Sequence, residues 1–429
     1  MVRPPCLFYG WIMVGITVVS MILIYGIRHS FSIFFPPILG EFGWPRGSTA
    51  IMLSLNILIY GFLAPVAGSL GDRWKPRRIM PIGVAVLGLA TASCAFAKEL
   101  WHFYLLFGVL MPIGSAFSGW PLWAPALANW FVRKRGLVLG LGQMGGGLSF
   151  VYGMFAEFAI SQLGWRNAYF VLAGTLVAFL LPLFLLFFHY RPENKGLRPY
   201  GADEMQTIEG SKPGTAGITN RSSRDWTLGQ AMGTYQLWLL VLSYALYWGV
   251  GAYLVLAHQV KFTVDAGYSS LFGASVFGLF GIFFAGGQAS AFISDWIGRE
   301  KTITLATILS ISALIILLSV RDISRPELLY IYATCFGYGT GLYSPTIVAG
   351  TADIFHGKHF GGIAALLLTG MGVGGAIGPW LGGHIYDVSG SYANAFILCM
   401  ACFAVACVAV WIAAPRNAAR PSGCHPPRQ

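Results

Sequence analysis

The sequence predicts an all-α membrane protein, with twelve transmembrane helices arranged as two pseudo-symmetric six-helix bundles. Three observations predict it. Of 429 residues, 56% are hydrophobic and only 10% charged, with a mean hydropathy of +0.66, whereas a soluble domain carries roughly a quarter charged residues. Hydropathy divides the chain into twelve apolar runs, each near or beyond the roughly 20 residues a helix needs to cross a bilayer. Features of the first six runs then return in the second six. Together these exclude an ordinary soluble enzyme, a nucleic-acid binder and a secreted disulfide scaffold. A β-barrel is excluded too, because its strands would alternate apolar and polar residues where these runs are continuous.

The runs cover 8–35, 49–70, 79–97, 101–128, 137–162 and 168–188, then 235–257, 268–293, 302–320, 328–350, 360–385 and 392–414. The first is too long for a signal peptide's apolar region and has no small-residue cleavage site after it, so the N-terminus is expected to stay attached. Between the sixth and seventh runs, His189 to Gly233 mixes both charge signs with Gly, Ser and Pro, the composition of a linker. Expected boundaries are therefore an N-terminal bundle at 1–188, a linker at 189–233, a C-terminal bundle at 234–415 and a tail at 416–429. In the eleventh run, Gly374-x-x-x-Gly378-Pro379-x-x-Gly382-Gly383 offers a small-residue face for close helix approach. The twelfth holds Cys399 and Cys402, which lack a second ligand pair and read as packing residues, so no metal is expected.

The net charge of +11 follows topology. With a cytoplasmic N-terminus, twenty of the 27 Lys and Arg fall on the cytoplasmic side and six on the other, leaving Arg28 inside a span. That bias places both termini in the cytoplasm of a multi-pass plasma-membrane protein, the inner membrane in a bacterium. The lipid bilayer, and not nucleic acid, is the expected partner.

The repeat has three anchors. Asp72 and Asp295 follow the second and eighth runs 223 residues apart; Pro121 and Pro345 are separated by 224; the Met144-Gly145 and Met371-Gly372 pairs by 227. Duplicated six-helix halves suit a carrier that exposes one site alternately to either side. The loops leave no room for a catalytic domain, and Gly145-Gly146-Gly147 lacks a P-loop lysine. An enzyme and a cofactor are therefore not expected.

The segment Gly68-x-x-Gly71-Asp72-Arg73-x-x-x-Arg77-Arg78 resembles the inter-span motif of the major facilitator superfamily, and Asp295 to Arg299 resembles its second copy. The resemblance implies that Asp72 with Arg73, and Asp295 with Arg299, form charge contacts at helix ends that latch one conformation. Any basic loop would satisfy topology by itself, which is the plainer reading. Tyr9-Gly10-Trp11, Phe31-Ser32-Ile33-Phe34-Phe35, Phe42-Gly43-Trp44 and Trp130 to Gly145, with its Arg133-Lys134-Arg135 triplet, are similar to the monocarboxylate porter and oxalate/formate exchanger group. That similarity implies a small organic anion as cargo and a proton as partner. His29 then stands where animal monocarboxylate porters use a lysine. The eighth run departs from their pattern: it contains no Lys, Arg, Asp or Glu where they usually carry an arginine.

Charges inside spans are costly and need a reason. Arg28 is the natural grip for a carboxylate, by two parallel hydrogen bonds, unless it snorkels to headgroups. His29 and His258 are candidates for proton coupling because histidine titrates near neutral pH. Glu157 is the only acid well inside a run, a third coupling candidate and a candidate partner of Arg28. Tyr244, Tyr247, Gly251, Leu254 and His258 share one face by their spacing of 3, 4, 3 and 4. The resemblance implies that helices 1, 4, 7 and 10 line the cavity, which makes Tyr247, Trp120, Tyr338 and Tyr343 substrate-lining candidates. Packing within the bundle is the alternative for each. The expected function is secondary transport of a monocarboxylate by proton symport, in a monomer. A drug or metabolite exporter and a membrane solute sensor are the rival readings.

Overall fold

The computed structural model describes residues 8–73, 76–132, 134–201, 226–355 and 360–415, and their side chains except 71–73 and 135. Most of the expected linker, the 416–429 tail, and the side chains of Asp72 and Arg73 thus lie outside the described residues. The helices are α1 (Tyr9–His29), α2 (Phe31–Phe42), α3 (Arg46–Arg73), α4 (Pro76–Ser93), α5 (Met111–Ser118), α6 (Trp120–Trp130), α7 (Arg135–Leu148) and α8 (Tyr152–Phe187). They continue as α9 (Tyr235–Tyr244), α10 (Tyr253–Asp265), α11 (Ser270–Ala289), α12 (Arg299–Leu318), α13 (Pro326–Ile354), α14 (Phe360–Ser389) and α15 (Ala393–Ala413). Among the described residues there is no strand, only an isolated bridge between Phe131 and Tyr200.

Among the described residues, ten helical stretches are long and apolar enough to cross a membrane, against twelve expected. Two local causes account for the difference. The stretch Gly136–Phe187 is broken at Gly164, whose φ of 78° reverses the chain inside α8. The stretch α13, 29 residues long, is diluted by Gly337, Gly339, Thr340, Gly341 and Ser344 and falls short on apolarity alone.

Several spans are interrupted part-way, and the interruptions place the site. The first bends at Ser30, whose Oγ donates to Ile27 O at 2.7 Å, so α1 ends at His29 and α2 begins at Phe31. The fourth contains a π-helical stretch, Tyr104–Leu110, and breaks at Gly119, which is extended. The seventh contains another π-helical stretch, Ala245–Ala252, between α9 and α10. Such stretches add a residue to a turn and rotate everything beyond them.

Lipid offers no hydrophobic drive between helices, so small residues that admit close backbone contact hold the assembly. The two halves of the sequence meet along α3 and α14, where a Cβ on Gly61 would lie 2.8 Å from Gly372 Cα. They meet again along α7 and α11, where a Cβ on Gly147 would lie 3.0 Å from Ala285 Cβ. Within the second half, Gly341 on α13 seats directly on the Phe284 carbonyl of α11.

Gly341→Ala should therefore force α11 and α13 apart, at about 1–3 kcal/mol, and lower the melting temperature of the purified protein. Gly286→Ala, on α11 with open space around it, should leave that temperature level or raise it. Equal melting of the two variants would remove close packing as the cause.

Candidate functional site

Arg28 and His29 occupy the last turn of α1, just before the interruption at Ser30. Arg28 is 5% exposed. Its Nη2 reaches Ser115 Oγ of α5 at 3.5 Å, and its guanidinium carbon lies 4.0 Å from the Tyr60 ring centroid. Tyr60 and Tyr25 join hydroxyls at 2.7 Å beneath it. Tyr253 of α10 also interacts with the guanidinium from the opposite half. Nε has no hydrogen-bond partner, and among the described residues no carboxylate pairs with the side chain.

His29 turns the other way. Its Nδ1 meets Ser149 Oγ at 2.7 Å, and its ring stacks on Phe150 at 3.8 Å. Arg28, His29, Ser32, Phe150, Tyr253 and Phe277 surround a cavity of about 10 Å³, room for roughly one water. The site is nearly closed.

Glu157 on α8 is 6% exposed and has no ion-pair or hydrogen-bond partner among the described residues. Arg28 and Glu157 are therefore unpaired in this conformation. The seventh-span stripe does share a face, but that face is turned into the second half. Tyr247 stacks on Tyr343 at 3.6 Å and its hydroxyl meets Ser310 at 2.7 Å; the Tyr343 hydroxyl meets Ser243 at 2.6 Å. His258 is fully buried, with Nε2 2.8 Å from Pro379 O and Nδ1 3.2 Å from the Tyr392 hydroxyl. Tyr338 is half-buried, its carbonyl against Gly287, and Trp120 packs over Gly142. The structure thus brings Arg28 and His29 to one cavity. Tyr247 and Tyr343 form a separate packed pair, and His258 lies apart from both, against Pro379, Tyr392 and Phe35.

Sequence reasoning missed Tyr253, Ser115 and the phenylalanines. A 3.6-residue period carried through Ala245–Ala252 selects the face of Tyr247, while the residues that reach the cavity lie on another face past the π-helical stretch. No composition signal marks such a stretch in advance.

A second missed feature closes the end of the molecule remote from Tyr9. Arg46, at the start of α3, bonds Asp265 of α10 at 2.5 Å and the Tyr392 hydroxyl at 2.9 Å, and lies 3.5 Å from the Tyr386 ring centroid. Asp387 of α14 accepts from the backbone N–H of Arg46 at 2.9 Å and of Gly47 at 2.7 Å, a carboxylate on a helix N-terminus. Two turns deeper along α10, Ser32 of α2, which lines the Arg28 cavity, donates to Ala257 O at 3.4 Å. At the opposite end, Arg299 bonds Asp295 at 2.5 Å and also Asp353 of α13 at 2.9 Å. Asp353 carries no motif signal of its own.

A family model described as the Major Facilitator Superfamily matches residues 17–325 and 289–428. The chain belongs to that superfamily. It is a multi-pass membrane transporter and not an enzyme, and members of the superfamily carry small solutes. It is 25% identical to monocarboxylate transporter 13 of Bos taurus, over 92% of this chain and 87% of the relative. It is 26% identical to monocarboxylate transporter 11 of Mus musculus, over 92% and 85%. Among solved structures, a bacterial homolog of the human lysosomal transporter Spinster, inward-facing and occupied, superposes with a TM-score of 0.68 at 14% identity, covering 95% of this chain and 97% of that one. A point mutant of the nucleoside transporter NupG gives 0.66 at 10% identity, over 94% and 100%. At such identities these two likenesses establish the superfamily fold alone.

Breaking the Arg46 cluster should loosen the remote end. Removing one charge of a partly buried pair costs about 1 kcal/mol, or about fivefold in an opening equilibrium. A cysteine introduced by Ser32→Cys should react several-fold faster with a membrane-impermeant maleimide from that side when Asp265→Asn is added. An unchanged rate would show that the pair does not hold this end shut.

Proposed function

We propose that this transporter carries a small organic anion, a monocarboxylate, together with a proton, exposing the Arg28 cavity alternately to the two sides of the membrane. One observation carries the reading: a buried guanidinium with an unpartnered Nε and no carboxylate counter-ion among the described residues lies at the cavity where the two halves of the sequence meet. A buried cation without an anion is costly. An entering carboxylate supplies the missing charge and accepts the free N–H, and both gains disappear when it leaves. The monocarboxylate transporters named above support the same cargo class by relationship.

In this scheme the segments 1–188 and 234–415 rock as two six-helix units about the site, with 189–233 as linker, in a plasma-membrane monomer whose termini are cytoplasmic. Arg46, Asp265 and Asp387 clamp the outer end. Asp295 and Arg299, extended by Asp353, latch the inner end of the second unit, and Asp72 and Arg73 do so in the first. Tyr247, Tyr343, Trp120 and Tyr338 back the cavity from the second layer unless the units move. Glu157, buried without a partner among the described residues, is the proton carrier the geometry favours. His29 sits beside the cargo, and His258, hydrogen-bonded on both ring nitrogens, senses the clamp through Tyr392.

Uptake of a labelled monocarboxylate into proteoliposomes tests the anion site. Arg28→Ala should cut uptake about ten- to a hundredfold, the worth of a charge-assisted hydrogen bond, and Arg28→Lys should restore part of it. Normal uptake by Arg28→Ala would dismiss the anchor. Glu157→Gln separates coupling from binding. It should abolish accumulation driven by a proton gradient while leaving exchange of labelled for unlabelled substrate intact; accumulation that persists would clear Glu157 of any proton role.

A further inference from the structure

The chemistry of the cavity wall narrows the cargo. We infer that the site selects a monocarboxylate whose body is purely apolar, branched aliphatic or aromatic, and discriminates against α-hydroxy acids and dicarboxylates. The inference rests on the anion reading of Arg28 and concerns what the rest of the substrate touches.

Polar atoms gather at one end only. Ser115, Tyr25 and Tyr60 surround the guanidinium, and their hydroxyls are already engaged: Ser115 Oγ donates to Pro112 O at 3.2 Å, and the tyrosines bond each other. His29 Nδ1 donates to Ser149, whose own proton goes to Gly146 O, and Ser32 donates to Ala257 O. Tyr253 faces the Arg28 guanidinium. Away from that end the wall is aromatic. Phe277 of α11 lines the cavity beside Phe150, their centroids 5.1 Å apart at 74°. Phe280 and Phe284, one and two turns further along α11, pack edge-on against the same Phe150 ring at 4.9 and 6.0 Å. Trp248 adds a further ring 5.3 Å from Phe284. The span that contains no Lys, Arg, Asp or Glu thus presents phenylalanine where a second polar anchor would stand.

Around the cavity, the fully buried side-chain capacity left unused is that of donors, and the acceptor that remains, His29 Nε2, belongs to the residue beside Arg28 at the polar end. Among the lining residues, the buried side-chain atom without a partner is Arg28 Nε, a donor, and the nearby Trp248 Nε1 is another. A carboxylate offers acceptors only and suits both. Beyond His29 Nε2 the wall offers, among the described residues, no acceptor for the O–H of a hydroxy acid and no second cation for a second carboxylate, so either group set against the phenyl faces would be buried unpaired. An apolar pocket rejects an isostere that only adds a hydroxyl by up to about a hundredfold. The cavity's small volume in this closed conformation sets no size limit, since it widens as the halves part; the wall's chemistry stays.

Isobutyrate and lactate differ by a methyl in place of a hydroxyl and make the test. The full-length protein in proteoliposomes is assayed for competition by isobutyrate, lactate, phenylacetate, mandelate and oxalate against labelled isobutyrate, or against labelled lactate should isobutyrate not enter. Isobutyrate should outcompete lactate, and phenylacetate should outcompete mandelate, each by about tenfold or more, with oxalate inert. Phe277→Gln, which places an amide in the wall, should shrink the isobutyrate-to-lactate ratio about tenfold while uptake remains dependent on Arg28. Lactate or oxalate equal to isobutyrate, with all uptake lost in Arg28→Ala, would overturn the apolar-body inference and leave the anion site standing. Carboxylate uptake indifferent to Arg28→Ala, or no carboxylate uptake at all, would remove the anion reading and this inference with it.

Discussion

An uncompensated positive charge in hydrocarbon surroundings is the constraint on which the centre of this protein depends. Arg28 is almost wholly buried, and moving a lone charge into such surroundings costs several kcal/mol even after relaxation. What offsets that cost is assembled from weak sources. Tyr60 offers its ring face, and Ser115 accepts a long hydrogen bond. None of these neutralises the charge. The residues beneath Arg28 are aromatic and hydroxylic instead of acidic, so the guanidinium is held in place without being satisfied. A carboxylate at Ser115 or Tyr60 would stabilise the resting protein and compete with any anionic cargo.

Placing that charge depends on helices whose regular geometry is interrupted in mid-membrane. In the first span the interruption is a single turn at Ser30, just beyond Arg28, across which Ser30 N–H still bonds Gly26 O and Phe34 N–H bonds Ser30 O. The break at Gly119 and the π-helical stretches at Tyr104–Leu110 and Ala245–Ala252 do the same work in the fourth and seventh spans, aiming Ser115 and Tyr253 inward. Irregular backbone at this depth is tolerated only against protein or a wet cavity. Elsewhere the helices are held by glycine contacts between backbones, which suit the proposed rocking of two units better than interlocked large side chains would.

Much of this was legible in the sequence. The fold class follows from apolar run length and scarcity of charge, because the bilayer imposes both directly on composition. Arg28 stands out by the same logic, as a cation in a run that should have none. The lining of the cavity was not legible, for a geometric reason. Tyr247 and Tyr253 are both seventh-span tyrosines, and a helical wheel favours Tyr247; the π-helical stretch between α9 and α10 turns Tyr253 toward Arg28 while Tyr247 faces Ser310. Arg46 and Asp265 were invisible for another reason. They lie at the ends of spans 219 residues apart, where charge is expected on topological grounds and reveals nothing of its partner.

The division of labour between the halves has a consequence for how a ligand moves them. Charge resides in the first half, at Arg28, while Tyr253 and Phe277 of the second half bring a hydroxyl and an aromatic wall. A ligand shifts a conformational equilibrium only by its difference in affinity between states. A cargo held by one half alone would bind open and closed forms alike and drive nothing. A cargo with one charged end and one apolar body contacts both halves fully only when they close around it, so the closed state gains the interactions that the open one lacks. In the proposed scheme the asymmetry of the site, charge on one side and phenyl faces on the other, is what lets binding promote closure in a protein whose end remote from Tyr9 is otherwise joined by the partly exposed Arg46–Asp265 ion pair and a few hydrogen bonds, an ion pair worth little by itself.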